Sequence, residues 1–193
     1  MLSVLGVIAV MGGIALPASR AALEFARSVR TQAQFAQWTA ALELHRADLR
    51  KLAVLGAGGL LDSERFAAAL TGRDSLAREL ADDRLNGNVR RRRFMALVPG
   101  DWLRLEAPTA RAVVVDAFGN SDIGVLYDRD GDGWIRDDER VLPSLRPGNA
   151  RDGFGEAINA LGDRAPEPNG LRARIVFVSV GAGGQREAIW SGH

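Results

Sequence analysis

Apolar and polar positions divide the first part of this chain into two unlike stretches joined without a turn. Residues 2–18 carry no charge, whereas residues 19–52 are charged, amphipathic and free of glycine and proline. Pro17 is the one interruption at the junction, and a proline can kink a helix without ending it. In the second stretch Phe35, Trp38, Leu42, His45, Leu49 and Leu52 recur at alternating steps of three and four, the spacing that lines one helical face. Arg30, Gln34, Glu43, Arg46 and Arg50 take the wetter faces. The pattern predicts one helix over residues 2–54, on the order of 80 Å long at about 1.5 Å per residue. A domain of this size covers only part of that length, so the remainder needs lipid or neighbouring subunits. His45 reads as a stripe residue with a satisfied nitrogen rather than as a ligand or base.

Gly56, Gly58 and Gly59 predict the end of this helix and a hinge. Asp62 or Ser63 is placed to cap a short helix through Leu70, closed by Gly72, and Asp74 to begin another through about Ala81. Beyond Asn86-Gly87-Asn88 the pattern turns extended. Residues 94–98, 102–106, 111–116, 123–127 and 173–179 read as strands, with 187–190 a weaker one. Residues 143–170 are rich in Gly, Pro and Asn and predict a long surface loop with a brief helical turn near 155–161. A long helix, then small helices, then antiparallel strands predicts an α+β fold with a small antiparallel sheet on the amphipathic half of the first helix. The expected division is a spine helix over 1–55, with a membrane segment at about 2–18, and a globular α+β domain over 56–193.

The length of 193 residues suits one domain with a core of ordinary size. A net charge of +1 gives no general pull towards nucleic acid. The one strong basic run, Arg90-Arg91-Arg92-Arg93, lacks interleaved aromatics and has Asp82, Asp83 and Asp101 close by, which favours a solvated turn or a subunit contact. The chain has no cysteine, which excludes disulfides, thiolate catalysis and Cys-based metal centres. His45 and His193 are the only imidazoles, and no nucleophile–base motif or Gly-rich phosphate loop is present. Asp116, Asp122 and Asp128 are acids that could pair, but without a nucleophile the expectation is a non-enzyme. The apolar run spans roughly 25 Å as a helix, the short end of what a bilayer core of about 30 Å requires. It reads as a single-pass anchor. A secretory signal is the rival, although Met1-Leu2-Ser3 lacks a basic n-region and Ser19-Arg20-Ala21 is the only passable cleavage site. A buried helix of a soluble protein is the third reading.

Residues 128–139 carry the chemistry. Asp128, Asp130, Asp132 and Glu139 stand at positions 1, 3, 5 and 12 of the twelve-residue calcium loop, with Gly133 at its turn position and Ile135 at its apolar one. Calcium takes six to eight oxygens, so alternating acids folded round a point suit it. Asp128, Asp130 and Asp132 would each give one oxygen, Trp134 its carbonyl and Glu139 two, with water in place of the non-ligating Arg136. The helices of a true EF-hand are missing, because residues 123–127 are strand-like and Pro143 stops an exit helix. That favours a structural Ca2+ staple over a switch. The bland alternative is a solvated acidic turn, in which six carboxylates against two arginines would repel one another.

Taken in order, several segments resemble the type IV pilin-like proteins, most closely the major pseudopilin (general secretion protein G) type of type II secretion. Val7-Ile8-Ala9-Val10-Met11-Gly12 followed by Ile14-Ala15-Leu16-Pro17-Ala18 is similar to their apolar helix start, proline included. Ala41-Leu42-Glu43-Leu44-His45-Arg46-Ala47-Asp48 resembles the segment where the family helix leaves its spine, with His45 where tyrosine is usual. Asp116-Ala117-Phe118-Gly119-Asn120 resembles the family's Asp-Pro-Trp-Gly-Asn turn, and Val176-Phe177-Val178-Ser179-Val180-Gly181-Ala182-Gly183-Gly184, ending near Trp190, its closing strand and Gly-rich loop. Residues 56–87 are not covered. The chain departs from the family in a shorter apolar run, in having no glutamate there and in placing its acidic loop earlier. The resemblance implies a pilin-like fold and a structural subunit held in the inner membrane by one pass, with its C-terminal domain in the periplasm. It implies as partners other copies of the chain, other pseudopilins, an inner-membrane assembly platform and membrane lipid. The competing expectation is a membrane-tethered calcium-binding module that recognises a partner and never polymerises.

Overall fold

The computed structural model describes residues 2–56, 59–97, 102–104, 112–128, 131–135, 172–179 and 189–190, with backbone alone at 2–17, 102–104 and 189–190. The chain is α+β. Helix α1 (Leu2–Leu49) runs unbroken through Pro17 for 48 residues, roughly 70 Å. It ends several residues short of the glycines. Arg50 turns left-handed at φ 52° while its N–H still bonds the Arg46 carbonyl at 2.8 Å, and the chain then runs extended. The physical reason is burial: Ala53 and Leu55, 4% and 2% exposed, reach the core only because the helix has stopped. The side chain of Asn86 stands in as a strand partner, its Oδ1 accepting from the Val54 N–H at 3.2 Å and its Nδ2 donating to the Val54 carbonyl at 2.9 Å.

Helix α2 (Ser63–Thr71) forms where capping chemistry predicts. The Asp62 carboxylate accepts from the Glu64 and Arg65 N–H groups at 2.9 and 3.1 Å, satisfying two orphan donors of the first turn. Gly72 closes it in the left-handed region at φ 67°, against a neighbouring backbone so close that a Cβ would lie 2.7 Å from the Arg91 Cα. The helix expected from Asp74 is absent. Asp74 Oδ1 instead accepts from the Leu76 and Arg78 N–H groups at 2.9 and 2.7 Å, and Ala77 sits at φ 62°. The carboxylate thus folds a tight turn on itself, the competing use of a capping side chain. A single 3-10 turn follows over Asp82–Arg84.

Among the described residues five short strands make two antiparallel sheets. β1 (Trp102–Arg104) pairs with β2 (Ala112–Val114), while β3 (Gly124–Tyr127), β4 (Ile175–Ser179) and β5 (Ile189–Trp190) lie in that order. The free edge of β3 is covered by residues 59–61, with the Leu61 N–H bonding Ile123 O at 2.8 Å and the Val125 N–H bonding Gly59 O at 2.7 Å. Residues 94–97 are not a strand. The Phe94 N–H bonds Leu70 O at the end of α2, while Phe94, Met95 and Leu97 pack half-buried on the core. The predicted loop at 143–170 lies outside the described residues.

The core is where β4 and α2 meet α1. Trp38 is fully buried, its ring centroid 5.4, 4.9 and 5.3 Å from Phe35, Phe66 and Phe177, with the last two edge-on. Leu42, Val125 and Ile175 fill in around them. Polar side chains of α1 clip the segment after β2: Gln34 Nε2 donates to Val115 O at 2.9 Å, and Thr31 Oγ1 accepts from the Ala117 N–H at 3.2 Å. The buried Asp116 carboxylate then organises the turn, accepting from the Phe118 and Asn120 N–H groups, from Asn120 Nδ2 and from Ser179 Oγ at the end of β4. A small antiparallel sheet is thereby packed on the amphipathic half of the long helix.

Candidate metal centre and the open face of the long helix

The acidic loop begins where β3 ends. Asp128 is 6% exposed, its N–H bonds the Arg174 carbonyl at 2.9 Å, and it closes the β3–β4 ladder at the end opposite Ser179. Its two oxygens are shared between two loop amides: Oδ1 accepts from the Gly131 N–H at 2.6 Å and Oδ2 from the Gly133 N–H at 2.7 Å. Both glycines sit at positive φ, 82° and 92°, where a side chain would be strained. Asp132 is exposed and accepts from the Trp134 N–H at 2.9 Å, and Ile135 is fully buried, pinning the far side of the turn.

Asp128, Asp132 and Trp134 are therefore brought into one turn, whereas Asp130 and Glu139 lie outside the described residues. Among the described residues no three His, Asp or Glu side chains gather tightly enough to hold a metal. The donor chemistry still fits a hard cation. Each Asp128 oxygen uses one lone pair on a backbone amide and keeps another, and glycine-enabled turns wind the chain round the carboxylate as an oxygen-ligated ion needs. Asp128, Asp132 and the Trp134 carbonyl are the described residues that would hold it. Without an ion the same bonds make Asp128 the cap of an acidic turn. Asp116 cannot join it, because the β3–β4 register places Ser179, and so Asp116, at the other end of the ladder.

Within residues 90–93, Arg91 and Arg92 are held by ion pairs. Arg91 reaches Glu79 and Asp82 at 3.5 and 3.3 Å, and Arg92 reaches Asp48 at 2.6 Å. His45 is buried as its place in the stripe predicts, and neither ring nitrogen has a partner of full hydrogen-bond geometry among the described residues, the Lys51 carbonyl being near enough only to raise its pKa.

A second feature was hidden by its plainness. The side of α1 turned away from the domain carries Ala18, Ala22, Phe25, Ala26, Val29, Ala33, Ala36, Ala40, Leu44 and Ala47, every one exposed. They recur mainly at steps of three and four, so they form one stripe. Ala33, Ala36, Ala40 and Ala47 each stand two residues from a core residue (Phe35, Trp38, Leu42, His45), which places them across the helix. Phe25 is 71% exposed and Leu44 59%. The charges of the lower helix, Arg20, Glu24, Arg27 and Arg30, lie on the domain's side and are also uncovered. The signal available in the sequence was alanine at helical spacing out of phase with the core residues. Of the anchor expected at residues 2–18, the backbone through 2–17 is helical and its side chains lie outside the description; among the described residues no helix is long and apolar enough to cross a membrane.

Fold and site together define an α+β chain whose long helix carries a small sheet on one face and leaves the other bare. Comparison with protein-family models, with curated proteins and with solved structures finds no match to it.

Proposed function

We propose that this chain is a structural, pilin-like subunit, a pseudopilin that is not an enzyme and whose long helices pack side by side into a filament. The observation that carries the reading is the apolar stripe along the outer side of α1, from Ala18 to Ala47, uncovered over its length. A helix that is apolar on two opposite faces has a second surface to bury. The alanines in it let a second helix approach to the short end of the usual 8–10 Å spacing. Copies related by a shift along the helix make a heterologous contact, and such a contact repeats as an open filament unless it closes into a ring. Residues 2–17 would hold the subunit in the inner membrane by one pass before assembly and in the filament core afterwards, leaving the sheet domain in the periplasm. Its partners would then be further copies of itself, other pseudopilins, lipid and an inner-membrane assembly platform, with no role for nucleic acid. Ca2+ held by the 128–139 loop would stiffen the exported domain.

The absence of native cysteine makes the test clean. Ala33→Cys and Ala40→Cys introduced together should crosslink helix to helix between copies in the native membrane. Adding Ala36→Glu should abolish those crosslinks while leaving the melting temperature unchanged, because Ala36 touches solvent rather than core. Lack of crosslinks in the parent double-cysteine chain would refute the filament and favour a tethered calcium-binding module. Crosslinks that survive Ala36→Glu would remove the stripe as their cause.

A further inference from the structure

His45 lies one turn before the end of α1, 1% exposed, with its ring packed edge-on against Phe94 at 5.2 Å between centroids. Gly87 also lies beside the ring, where a Cβ would come into ordinary contact with the His45 Cε1 at 4.0 Å. The imidazole is thus packed as though it were a phenyl ring, with Nδ1 and Nε2 both unpartnered among the described residues. One turn on, Asp48 Oδ2 is buried and unpartnered too, while Oδ1 accepts from Arg92 at 2.6 Å. Two groups that could satisfy one another are held apart, an arrangement native interiors rarely tolerate without a use.

The position of the ring suggests that use. Residues 85–94 are fastened to α2, through Asn88 Nδ2 to Ala69 O at 3.0 Å and the Phe94 N–H to Leu70 O at 2.8 Å. To the end of α1 and the segment just after it they are tied by the Arg92–Asp48 pair, the Asn86 clasp on Val54 and the His45–Phe94 contact. His45 therefore stands on the seam between the end of α1 and residues 85–94. We propose that His45 is a proton-operated latch on this seam: neutral, it holds the end of α1 against residues 85–94, and protonated, it leaves Phe94 for water and Asp48 so that the two part.

The electrostatics agree in sign. Burial lowers the His45 pKa from 6.5, while the Lys51 carbonyl, short of hydrogen-bond geometry, and the Asp48 carboxylate pull back without prevailing. The charged groups at the seam are Asp48 from α1, which favours the imidazolium, and Arg92 from residues 85–94, which opposes it. From α2 the seam receives the uncharged Ala69 and Leu70. The opened state takes up its proton near 6.5 and the closed state only at lower pH. Closure is therefore fully stable above about pH 6.5 and weakens as pH falls from there to the closed-state value.

Hydrogen exchange on the full chain reads this directly. The Val54 N–H crosses the seam to Asn86 Oδ1. Corrected for intrinsic rate, its opening should rise by up to about tenfold per pH unit below 6.5 and stay flat above it. His45→Phe keeps the aromatic packing and cannot titrate, so its Val54 opening should be flat over the same range. His45→Gln should be flat too, should phenylalanine overpack the site. A wild-type profile without the rise, or the same rise in both variants, overturns the latch. So does an NMR titration in which the His45 ring protonates while Val54 exchange stays constant, since the imidazolium would then be accommodated in place by Asp48.

Discussion

Asp128 has two separable jobs in the acidic loop, and removing it should cost stability whether or not calcium is bound. Asp128→Ala deletes the acceptors of two amide hydrogen bonds, to Gly131 at 2.6 Å and Gly133 at 2.7 Å. Bonds to a charged acceptor contribute about 1.5–3 kcal/mol each. The freed Gly131 and Gly133 amides lie in an exposed and a half-buried residue and turn partly to water, so the low end applies, about 3 kcal/mol in all. At about 2–4 °C per kcal/mol for a chain of this size, the melting temperature measured in chelator should fall by roughly 6–12 °C. Asp132→Ala behaves differently. Its carboxylate is exposed and accepts from the Trp134 N–H, where water can replace much of what is lost, so its melting point in chelator should fall well short of the drop in Asp128→Ala. Calcium at about a hundred times its dissociation constant adds about 2.7 kcal/mol to the wild type, or roughly 5–10 °C. Asp132→Ala, Asp130→Ala and Glu139→Ala should each lose that gain. Scanning calorimetry of the five proteins in chelator and in calcium separates the two jobs. Identical wild-type melts in both buffers would refute the metal and leave Asp128 as a turn cap. An Asp128→Ala melt unchanged in chelator would refute the cap.

Two further substitutions test the packing that carries the domain. Trp38→Ala empties the centre of the four-ring cluster and should cost about 4–5 kcal/mol from burial, cavity and lost ring contacts, a large part of the 5–15 kcal/mol typical of a domain; a urea-denaturation loss under about 2 kcal/mol would show that β4 and α2 do not rest on α1 as described. Asp74 tests the turn that replaced a predicted helix: burial raises its pKa, but the Arg78 N–H and side chain and the Leu76 N–H together outweigh that and hold it below 3.8. Its stabilisation is therefore complete above about pH 3.8 and lost as pH falls through the lower folded value. Asp74→Asn should lower the melting temperature at pH 7 and flatten the acid limb, and parallel acid limbs in the two proteins would sink the assignment.

What could be read from the chain and what could not divides along the range of the interactions. The α2 caps are contacts within a few residues, so Asp62 and Gly72 mark both ends of that helix correctly. Asp74 has the same capping chemistry and was misjudged because a carboxylate followed by free amides can start a helix or close a turn; Arg78, which reaches Asp74 Oδ2 at 2.5 Å, tips the balance. The end of α1 was misplaced for a longer-range reason. Leu52 continues the helical stripe, yet Ala53 and Leu55 gain more by burial beside α2, with Asn86, 32 residues away, replacing the backbone partners Val54 loses. The acidic loop was legible as a spacing, but that Asp128 is buried and already holds two amides depends on the β3–β4 register, set by residues nearly fifty positions on. The outer stripe of α1 was missed for the opposite reason: alanine is the strongest helix former, so ten small and apolar positions pass as helix propensity until the core face is known. Once Phe35, Trp38, Leu42 and His45 are seen to be spent on the domain, the alanines two residues from them have nothing left to pack on within the described chain. A helix kept apolar on its far side, against the solubility that charge there would give, is better explained by a surface that must be covered than by propensity alone, since lysine, glutamate and arginine form helices nearly as well.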